Sequence, residues 1–168
     1  MNQVLVILRG ASASGKTTLA ENLRDFDRKI AWLSVDKMKP IFNSEEKSLN
    51  ASSKVALATL KYLLEEGYSI IFDGIFKNTN YVYEAIKIAK NRDIPCIVYQ
   101  LKCSLNTLQK RDKNRKGVKE GYRKPLGNTM IESLHKKNID NPIEGAIELD
   151  TESQSSKECL EIIRKNFD

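Results

Sequence analysis

A glycine-rich segment, Gly10–Thr17, determines where the first strand must end and where the first helix must begin. It reads G-A-S-A-S-G-K-T, which fits the pattern G-x-x-x-x-G-K-[ST]. The apolar run 4–8 precedes it and the amphipathic stretch 17–23 follows it, so it lies between a predicted strand and a predicted helix. In this setting, backbone N–H groups and the N-terminus of the helix wrap a phosphate group. The sequence therefore predicts a phosphate-binding loop.

The residue types inside this loop predict separate roles. Gly10 and Gly15 are expected to adopt backbone angles that a side chain would resist, which lets successive N–H groups point inward. Lys16 is expected to reach the β- and γ-phosphates, and the Thr17 hydroxyl is expected to ligate Mg²⁺. The alternative is a glycine-rich turn that binds nothing. The expected nucleotide-binding residues of this region are Gly10, Ala11, Ser12, Ala13, Ser14, Gly15, Lys16, Thr17 and Thr18.

Predicted strands and helices alternate along the chain. Apolar strands are predicted at 4–9, 30–35, 69–72, 95–101 and 146–149. Helices are predicted at 16–24, 50–66, 79–91 and 128–138, and also from Ser104 onward and from Ser155 or Ser156 onward. This alternation is typical of a parallel sheet covered on both faces. We therefore predict an α/β chain, a three-layer α/β/α sandwich, with residues 1–168 forming one domain.

The composition favours a globular protein without a membrane partner. Hydrophobic residues make up 40% of the 168 residues and charged residues 30%. No apolar run approaches the ~20 residues that span a bilayer, and residues 1–3 lack the basic start of a signal peptide. We therefore expect a cytoplasmic location. The sequence shows no heptad pattern or Met-rich face, so a monomer is the default expectation.

The cysteines and the single histidine do not predict a metal centre. Cys96, Cys103 and Cys159 are odd in number and lack C-x-x-C spacing, so reduced and mostly buried thiols are expected. His135 has no second histidine to complete a ligand cluster. It is expected to be a surface or structural residue.

The positive charge of the chain is concentrated in the window 110–124. This window holds eight basic and two acidic residues, which accounts for the whole formal net charge of +6. We expect residues of about 104–127 to form a basic lid, with glycines at its joints, that excludes water. Arg111 and Arg115, spaced i, i+4 on one predicted helix face, are candidate catalytic arginines, and Arg111 is also expected to bind the nucleotide. A solvated basic helix is the alternative.

Acidic residues follow predicted strands at the sheet edge where such folds bind ligands. Asp36, after the second strand, is a candidate to accept the proton of an attacking hydroxyl, and otherwise caps a turn. Lys39 is a candidate to hold an anionic acceptor, and otherwise is solvated. Asp73, after the third strand, is a candidate ligand of Mg²⁺ or of the substrate, and otherwise forms an Asp-Gly turn. Asp150 and Thr151 either contact a nucleotide base or form a simple turn.

Together these motifs resemble the small, single-domain form of the P-loop kinase superfamily. The pattern is similar to that of the chloramphenicol phosphotransferase and zeta-toxin-like kinases, and to the kinase module of polynucleotide 5′-kinases. The resemblance implies a five-stranded sheet of order 2-3-1-4-5 and ATP as the phosphoryl donor. It also implies Asp36 as the base and lid roles for the two arginines. The matching residues are Gly10–Thr17, Asp36, Asp73, Arg111, Arg115 and Asp150–Thr151.

Three functions fit this pattern. The first is an ATP-dependent kinase that phosphorylates a hydroxyl of a small molecule, favoured because nucleic-acid binders usually carry a broad basic groove and the rest of this chain is neutral. The second is a polynucleotide 5′-hydroxyl kinase, whose acceptor groove would be lined by Lys37, Lys39, Lys47 and Lys77. Polynucleotide kinases have Arg where this chain has Lys39. The third is a nucleotide-dependent switch, which has no need of a base at Asp36.

Overall fold

A parallel sheet of five strands forms the centre of the protein, seen in a computed structural model that describes residues 3–42, 45–115 and 124–167, without the side chains of 45–49. The strands lie in the order β2-β3-β1-β4-β5. They are β1 (Leu5–Gly10), β2 (Ile30–Ser34), β3 (Ser69–Gly74), β4 (Cys96–Lys102) and β5 (Ile147–Asp150). The predicted α/β class and the 2-3-1-4-5 order are both confirmed.

Helices cover the two faces of this sheet. They are α1 (Lys16–Arg24), α2 (Val35–Met38), α3 (Glu45–Glu65), α4 (Asn80–Lys90), α5 (Leu105–Lys113), α6 (Asn128–Asp140) and α7 (Ser156–Arg164), with a 3-10 turn at Lys39–Ile41. Among the described residues, no helix is both long enough and apolar enough to cross a membrane.

Two element boundaries differ from the sequence-based prediction. Helix α3 begins at Glu45 rather than at Asn50, because the acidic residues at its start suit the positive end of a helix. Strand β3 continues through Asp73 and Gly74, because both residues remain in register with β1. Asp73 therefore lies within a strand and not in the Asp-Gly turn that was the alternative.

Strand β1 is buried along its whole length between β3 and β4. Leu5 and Ile7 belong to the apolar layer that includes residues of α3 and α4, whereas Val6 and Leu8 belong to the layer with residues of α1 and α7. Full burial of one such side chain is worth about 1.5–3 kcal/mol. Packing on both faces therefore fixes the strand from which the phosphate loop begins.

The carboxyl ends of the strands lie at one edge of the sheet. Asp73 is in register with Leu8 of β1 and with Ser34 of β2. Gly10 is in register with Leu101 of β4. The loops that follow these residues therefore converge at the same edge, which is where ligands bind in open α/β sheets.

Candidate active site

The phosphate loop between β1 and α1 passes through the left-handed region at Ala13, with φ of 70°, and at Gly15, with φ of 97°. The expected unusual backbone angle is therefore met at Gly15, but the expectation is wrong for Gly10, where φ is not positive. At Gly10 the constraint is steric, because a Cβ would lie 2.5 Å from the Ser14 Oγ and 3.0 Å from the Leu101 carbonyl oxygen. The loop thus needs both glycines, for different reasons.

Helix α1 starts directly at this loop. Gly15 is its N-cap residue and offers no side-chain hydrogen bond to the first turn. Thr17 and Thr18 lie in that turn and are exposed. The N–H groups at a helix N-terminus, together with the helix dipole, attract an anion. This geometry suits a phosphate group held against the loop.

Lys16 lies buried inside the loop. Its Nζ donates to the carbonyl oxygens of Gly10 at 2.9 Å and Ala11 at 2.7 Å, and it lies 3.4 Å from the Ser14 Oγ. These contacts hold the ammonium group among the backbone groups that form the cradle. The position is the one from which a lysine can reach bound phosphates as a point charge.

Asp73 places a buried carboxylate beside the loop. It is 2% exposed, and burial raises the pKa of its carboxyl group, whereas a hydrogen bond from Trp32 and the charge of Lys16 lower that pKa in part. Trp32 Nε1 donates to Asp73 Oδ1 at 2.8 Å, and Ser34 contributes a further side-chain hydrogen bond. Two residues of β2 therefore orient the carboxylate of its neighbouring strand.

Thr17 and Asp73 fit a Mg²⁺ ion that arrives with a nucleotide. Mg²⁺ prefers oxygen ligands, keeps several waters and takes only one or two protein ligands besides phosphates. Thr17 offers an exposed hydroxyl. Asp73 offers a carboxylate whose burial disfavours its charged form, and a nearby cation offsets that penalty.

Asp36 is a second carboxylate at this edge. It lies in α2, whose N-cap residue is Ser34, so the alternative role of Asp36 as a helix cap is wrong. Its carboxylate, 20% exposed, pairs with the Lys39 Nζ at 2.5 Å. The pKa of Asp73, raised mainly by burial, is raised further by the charge of Asp36, so the two carboxylates interact electrostatically.

Asp36 opens onto a cavity of about 140 Å³, which we call the α2–α3 cavity. The polar residues that line it include Asp36, Lys39, Asn50, Ser53, Lys77 and Tyr81. Lys37, which was expected near an acceptor, instead has its Nζ 3.5 Å from the centre of the Trp32 ring. The side chain of Lys47 lies outside the described part of the chain. Two of the four expected lysines thus lie in this cavity.

Arg111 extends from α5 to the end of β5. Its Nη1 donates to Thr151 Oγ1 at 3.1 Å and its Nη2 donates to the Thr151 carbonyl oxygen at 2.6 Å. Both residues line a cavity of about 200 Å³, the α1–β5 cavity, together with Thr18 and Gln154. Asp150, by contrast, accepts hydrogen bonds from the residues after it and forms a turn. Of the Asp150–Thr151 pair, only Thr151 therefore lines the α1–β5 cavity.

Arg115 points in a different direction. Helix α5 ends at Lys113, so Arg115 lies beyond the helix, and the expected placement of both arginines on one helix face is wrong. The reason is local, because Asn114 takes a non-helical backbone conformation as the C-cap. Arg115 Nη2 donates to the Ser12 Oγ at 2.9 Å. Arg115 therefore contacts the phosphate loop, whereas Arg111 contacts β5.

Asp112 holds together the ends of the expected lid. It is 2% exposed, and its Oδ2 accepts hydrogen bonds from the backbone N–H of Leu126 at 2.7 Å and of Gly127 at 3.0 Å. Its Oδ1 lies 3.2 Å from the Arg115 Nε, an ion pair without hydrogen-bond alignment. The expected lid also includes residues 116–123. These residues, and the basic side chains among them, lie outside the described part of the chain.

A larger cavity of about 580 Å³ lies between β4, β5 and α6. It touches the phosphate loop at Ala11 and Ser14 and is lined by Gln100 and the half-buried His135. Neither Asp36 nor Asp73 lines it. Size alone would favour this cavity as the acceptor site, and the carboxylates of Glu148, Asp150 and Glu152 line it, but Asp36, the candidate base, lines the smaller α2–α3 cavity. Among the cysteines, Cys159 is buried, Cys96 and Cys103 are partly buried, and none forms a disulfide.

Three residues with roles at this site were missed from the sequence. Trp32 orients Asp73 from the neighbouring strand, Asp112 accepts hydrogen bonds from the N–H groups of Leu126 and Gly127, and Glu152 ties α5 to the loop after β5. Glu152 accepts hydrogen bonds from the Ser104 N–H at 2.7 Å and from the Thr107 Oγ1 at 2.7 Å. The sequence carried one signal for Trp32. Residues 32 and 34 lie on the same face of the second strand, which was predicted to end next to the third strand and its Asp73.

A phosphate loop on a central strand, with carboxylates at the ends of the neighbouring strands, defines a P-loop nucleotide-binding fold. The family model described as an AAA domain, AAA_33, matches residues 5–128, and the chain belongs to this family. Among curated proteins, the sequence has no match.

The same fold occurs in solved structures, one of them a gluconokinase. The tunicamycin resistance protein of Deinococcus radiodurans is 14% identical, with a TM-score of 0.70 over 99% of this chain and 96% of that chain. A gluconokinase from Sinorhizobium meliloti 1021 is also 14% identical, with a TM-score of 0.66 over 97% and 90%. A chain of the Pnkp1/Rnl/Hen1 RNA repair complex is 17% identical, with a TM-score of 0.67 over 83% of this chain and 45% of that one. These likenesses identify a small P-loop kinase fold.

Proposed function

We propose that this chain is an ATP-dependent kinase that transfers the γ-phosphoryl group to a hydroxyl of a small-molecule acceptor. The observation that carries this proposal is the position of Asp36, a partly exposed carboxylate on the wall of a cavity at the edge that holds the phosphate loop. A switch that only binds a nucleotide has no need of such a group. Phosphoryl transfer uses a carboxylate there to orient the attacking hydroxyl.

The nucleotide would lie along the loop and the start of α1. Backbone N–H groups and Lys16 would hold the phosphates, as the same elements do in P-loop proteins. The α1–β5 cavity continues from Gly15 and Thr18 to Thr151, which supports it as the place of the base and ribose. Arg111, held by Thr151 at the wall of this cavity, would lie against the base.

Thr17 and Asp73 would hold Mg²⁺, which when bound neutralises charge on the β- and γ-phosphates. Trp32 fixes the direction of the Asp73 carboxylate before any ion arrives. Arg115, which already contacts Ser12 of the loop, is placed to stabilise charge on the equatorial oxygens of the transferred group.

Asp36 would act as the base of the transfer step. As the acceptor oxygen bonds to the γ-phosphorus, the hydroxyl proton passes to the Asp36 carboxylate. The bond between the γ-phosphorus and the β–γ bridging oxygen breaks, which leaves ADP and the phosphorylated acceptor. Lys39, paired with Asp36 at 2.5 Å, holds the carboxylate at the cavity wall.

A polynucleotide 5′-hydroxyl kinase is the second candidate. Two observations favour it: the likeness in fold to a chain of an RNA repair complex, and the lysines Lys39 and Lys77 in the α2–α3 cavity. Contacts to several phosphates make binding fall steeply with salt. Saturable, salt-sensitive binding of an oligonucleotide, together with labelling of its 5′-hydroxyl end, would favour this candidate over the first.

The direct test is a screen with γ-labelled ATP and Mg²⁺ against hydroxyl compounds that include sugars, sugar acids and 5′-hydroxyl oligonucleotides. We expect at least one acceptor to be labelled, and we expect Lys16→Ala to abolish labelling. Asp36→Asn is nearly isosteric, so it should lower kcat at least 100-fold while the affinity for ATP changes less than threefold. ATP hydrolysis that no acceptor accelerates would refute the kinase and favour the switch.

A further inference from the structure

We propose that the acceptor of this kinase is a small anionic hydroxyl compound, whose carboxylate or phosphate group is held by Lys77 while its hydroxyl faces Asp36. This inference rests on the kinase activity proposed above and specifies the class of its acceptor. It follows from the balance of charge around the α2–α3 cavity and from the size of that cavity.

The α2–α3 cavity has more basic than acidic groups at its wall. Asp36 is the single carboxylate among its described lining residues, and Lys39 and Lys77 both line it. The charge of Asp36 is already matched by Lys39. Lys77 forms no ion pair with any residue that the structure describes, so its positive charge is left over at the cavity.

Lys77 is also acted on by a lysine of α6, Lys137, which does not itself line the cavity. Burial lowers the pKa of Lys77, and repulsion from Lys137 and Lys39 lowers it further, while Asp36 acts in the opposite direction. Lys77 thus lies within electrostatic reach of two other ammonium groups and of the Asp36 carboxylate. Repulsion of this kind is relieved when an anion binds between the groups.

A further cation, Arg9, lies behind both cavities. Arg9 is fully buried, and its Nη1 donates to the Gln100 Oε1 at 2.6 Å, while its Nε and Nη2 have no hydrogen-bond partner in the part of the chain that the structure describes. Gln100 and Asn138 line the larger cavity, and Asn138 links this network to the α2–α3 cavity, because it accepts from Gln100 and donates to the carbonyl oxygen of Ile75, a lining residue. A buried arginine stays protonated. Its charge in a poorly polarisable interior therefore adds to the attraction for an anion.

The volume of the cavity limits the size of the acceptor. Its ~140 Å³ lies below the range of about 300–1,000 Å³ that holds a drug-sized ligand. Asn50, Ser53 and Tyr81 supply amide and hydroxyl groups that can bind further hydroxyls of the acceptor. A hydroxy acid or a sugar phosphate fits this combination of small volume, positive charge and neutral polar groups.

The test compares acceptors in pairs that differ only by their anionic group. The pairs are gluconate and glucitol, glucose 6-phosphate and glucose, and a 5′-hydroxyl oligonucleotide with and without a 3′-phosphate. With γ-labelled ATP, we expect the anionic small molecules to have a kcat/KM at least tenfold above that of their neutral partners. The carboxylate and phosphate pairs distinguish the two kinds of anion. Preferential labelling of the oligonucleotides would overturn the small acceptor.

Variants of the lysines connect any such preference to this cavity. Lys77→Met should raise the KM for the anionic acceptor at least fivefold, and leave the KM for ATP within twofold. Lys90→Met replaces an exposed lysine at the end of α4 that does not line the cavity, and this matched control should change neither value. An unchanged KM for the anionic acceptor in Lys77→Met would overturn the inference.

A binding measurement separates failure of this inference from failure of the proposed function. With the phosphate loop occupied by a non-hydrolysable ATP analogue, gluconate or glucose 6-phosphate should raise the melting temperature more than glucitol or glucose, and Lys77→Met should remove that difference. If neutral compounds are phosphorylated as well as anionic ones, the kinase stands and the inference is wrong. If no compound is phosphorylated, the kinase fails, and the melting shifts alone support or overturn the anion site.

Discussion

Arg111 and Arg115 lie four positions apart in the chain, yet their guanidinium groups contact opposite ends of the candidate nucleotide site. Arg111 donates twice to Thr151 after β5, at 3.1 and 2.6 Å, whereas Arg115 donates to Ser12 in the phosphate loop at 2.9 Å. The division arises because α5 ends at Lys113 and the chain turns before Arg115. The two arginines should therefore serve different parts of the nucleotide.

Replacement of each arginine by lysine should separate these two roles. Arg111→Lys keeps the charge but loses the planar pair of donors to Thr151, so KM for ATP should rise about tenfold with kcat within about twofold. Arg115→Lys should lower kcat about 10- to 100-fold with a small change in KM, because its contact lies at the phosphate loop. Steady-state kinetics with varied ATP measures both values. Equal effects of the two variants on the same parameter would contradict the division.

Asp73→Asn should make the protein more stable at neutral pH. The folded-state pKa of Asp73 is raised by burial, so folding favours the protonated carboxyl group. Stability from this group is therefore full below the unfolded pKa of about 3.9 and is lost as the pH rises through the folded pKa. The neutral amide avoids that loss, and we expect a higher free energy of unfolding at pH 7, together with loss of Mg²⁺-dependent transfer.

Urea unfolding in the presence of a chelator measures this effect. The gain from Asp73→Asn should shrink as the pH is lowered from 7 towards the unfolded pKa. Asp150→Asn is the matched control, because hydrogen bonds from the Ser153 hydroxyl and from backbone N–H groups lower the pKa of Asp150. Its stabilising contribution is present at neutral pH and is lost as the pH falls, so this variant should be less stable at pH 7. A stabilising Asp150→Asn would count against the argument.

The sequence was sufficient to locate the phosphate loop, Asp36 and Asp73. The loop was recognisable because an apolar strand and a helix flank its glycines. The two carboxylates were recognisable because the carboxyl ends of parallel strands meet at one edge of the sheet. The order of the strands came from the family resemblance. Each of these features depends on local pattern or on topology, which a single sequence can carry.

The sequence was not sufficient to predict contacts that depend on exact register or on a helix end. The hydrogen bond from Trp32 to Asp73 exists because β2 and β3 pair with Ser34 opposite Asp73. The direction of the Arg115 side chain depends on the end of α5 at Lys113, two residues before Arg115, where the sequence predicted that the helix would continue. A shift of one residue at either place changes the partner of the side chain, and helix and strand patterns do not fix positions that finely.

Asp112→Ala should weaken both the fold and the transfer step. The variant leaves the N–H groups of Leu126 and Gly127 without their acceptor and removes the ion pair with Arg115, so we expect a loss of about 2 kcal/mol in the free energy of unfolding. The kcat should fall as well, because Arg115 keeps its contact with Ser12 but loses the ion pair that helps to orient it.

Two further variants qualify the role of Asp112. Asp112→Asn keeps one acceptor oxygen and should recover part of the lost stability. Asp140→Ala removes the exposed ion pair with Lys136 in α6 and should cost less than about 0.5 kcal/mol. Urea unfolding and kcat are measured for all three. If Asp112→Ala were no more destabilising than Asp140→Ala, Asp112 would not anchor the segment.

Gly10→Ala and Gly15→Ala should both impair the phosphate loop, but by different physical routes. At Gly10 the new Cβ would lie 2.5 Å from the Ser14 Oγ and 3.0 Å from the Leu101 carbonyl oxygen, so the loop must move and the affinity for ATP should fall at least tenfold. At Gly15 nothing lies within 4 Å of a new Cβ, but φ of 97° strains any side chain, at a cost of about 1–2 kcal/mol in stability. Ser14→Ala combined with Gly10→Ala removes the contact with the Ser14 Oγ but not those with Leu101, so it should restore ATP affinity in part. Ser14→Ala combined with Gly15→Ala should restore nothing. Nucleotide titration and urea unfolding of Gly10→Ala, of Gly15→Ala and of each combined with Ser14→Ala check this prediction. Full rescue of the ATP affinity of Gly10→Ala by Ser14→Ala would show that Leu101 does not restrict the loop.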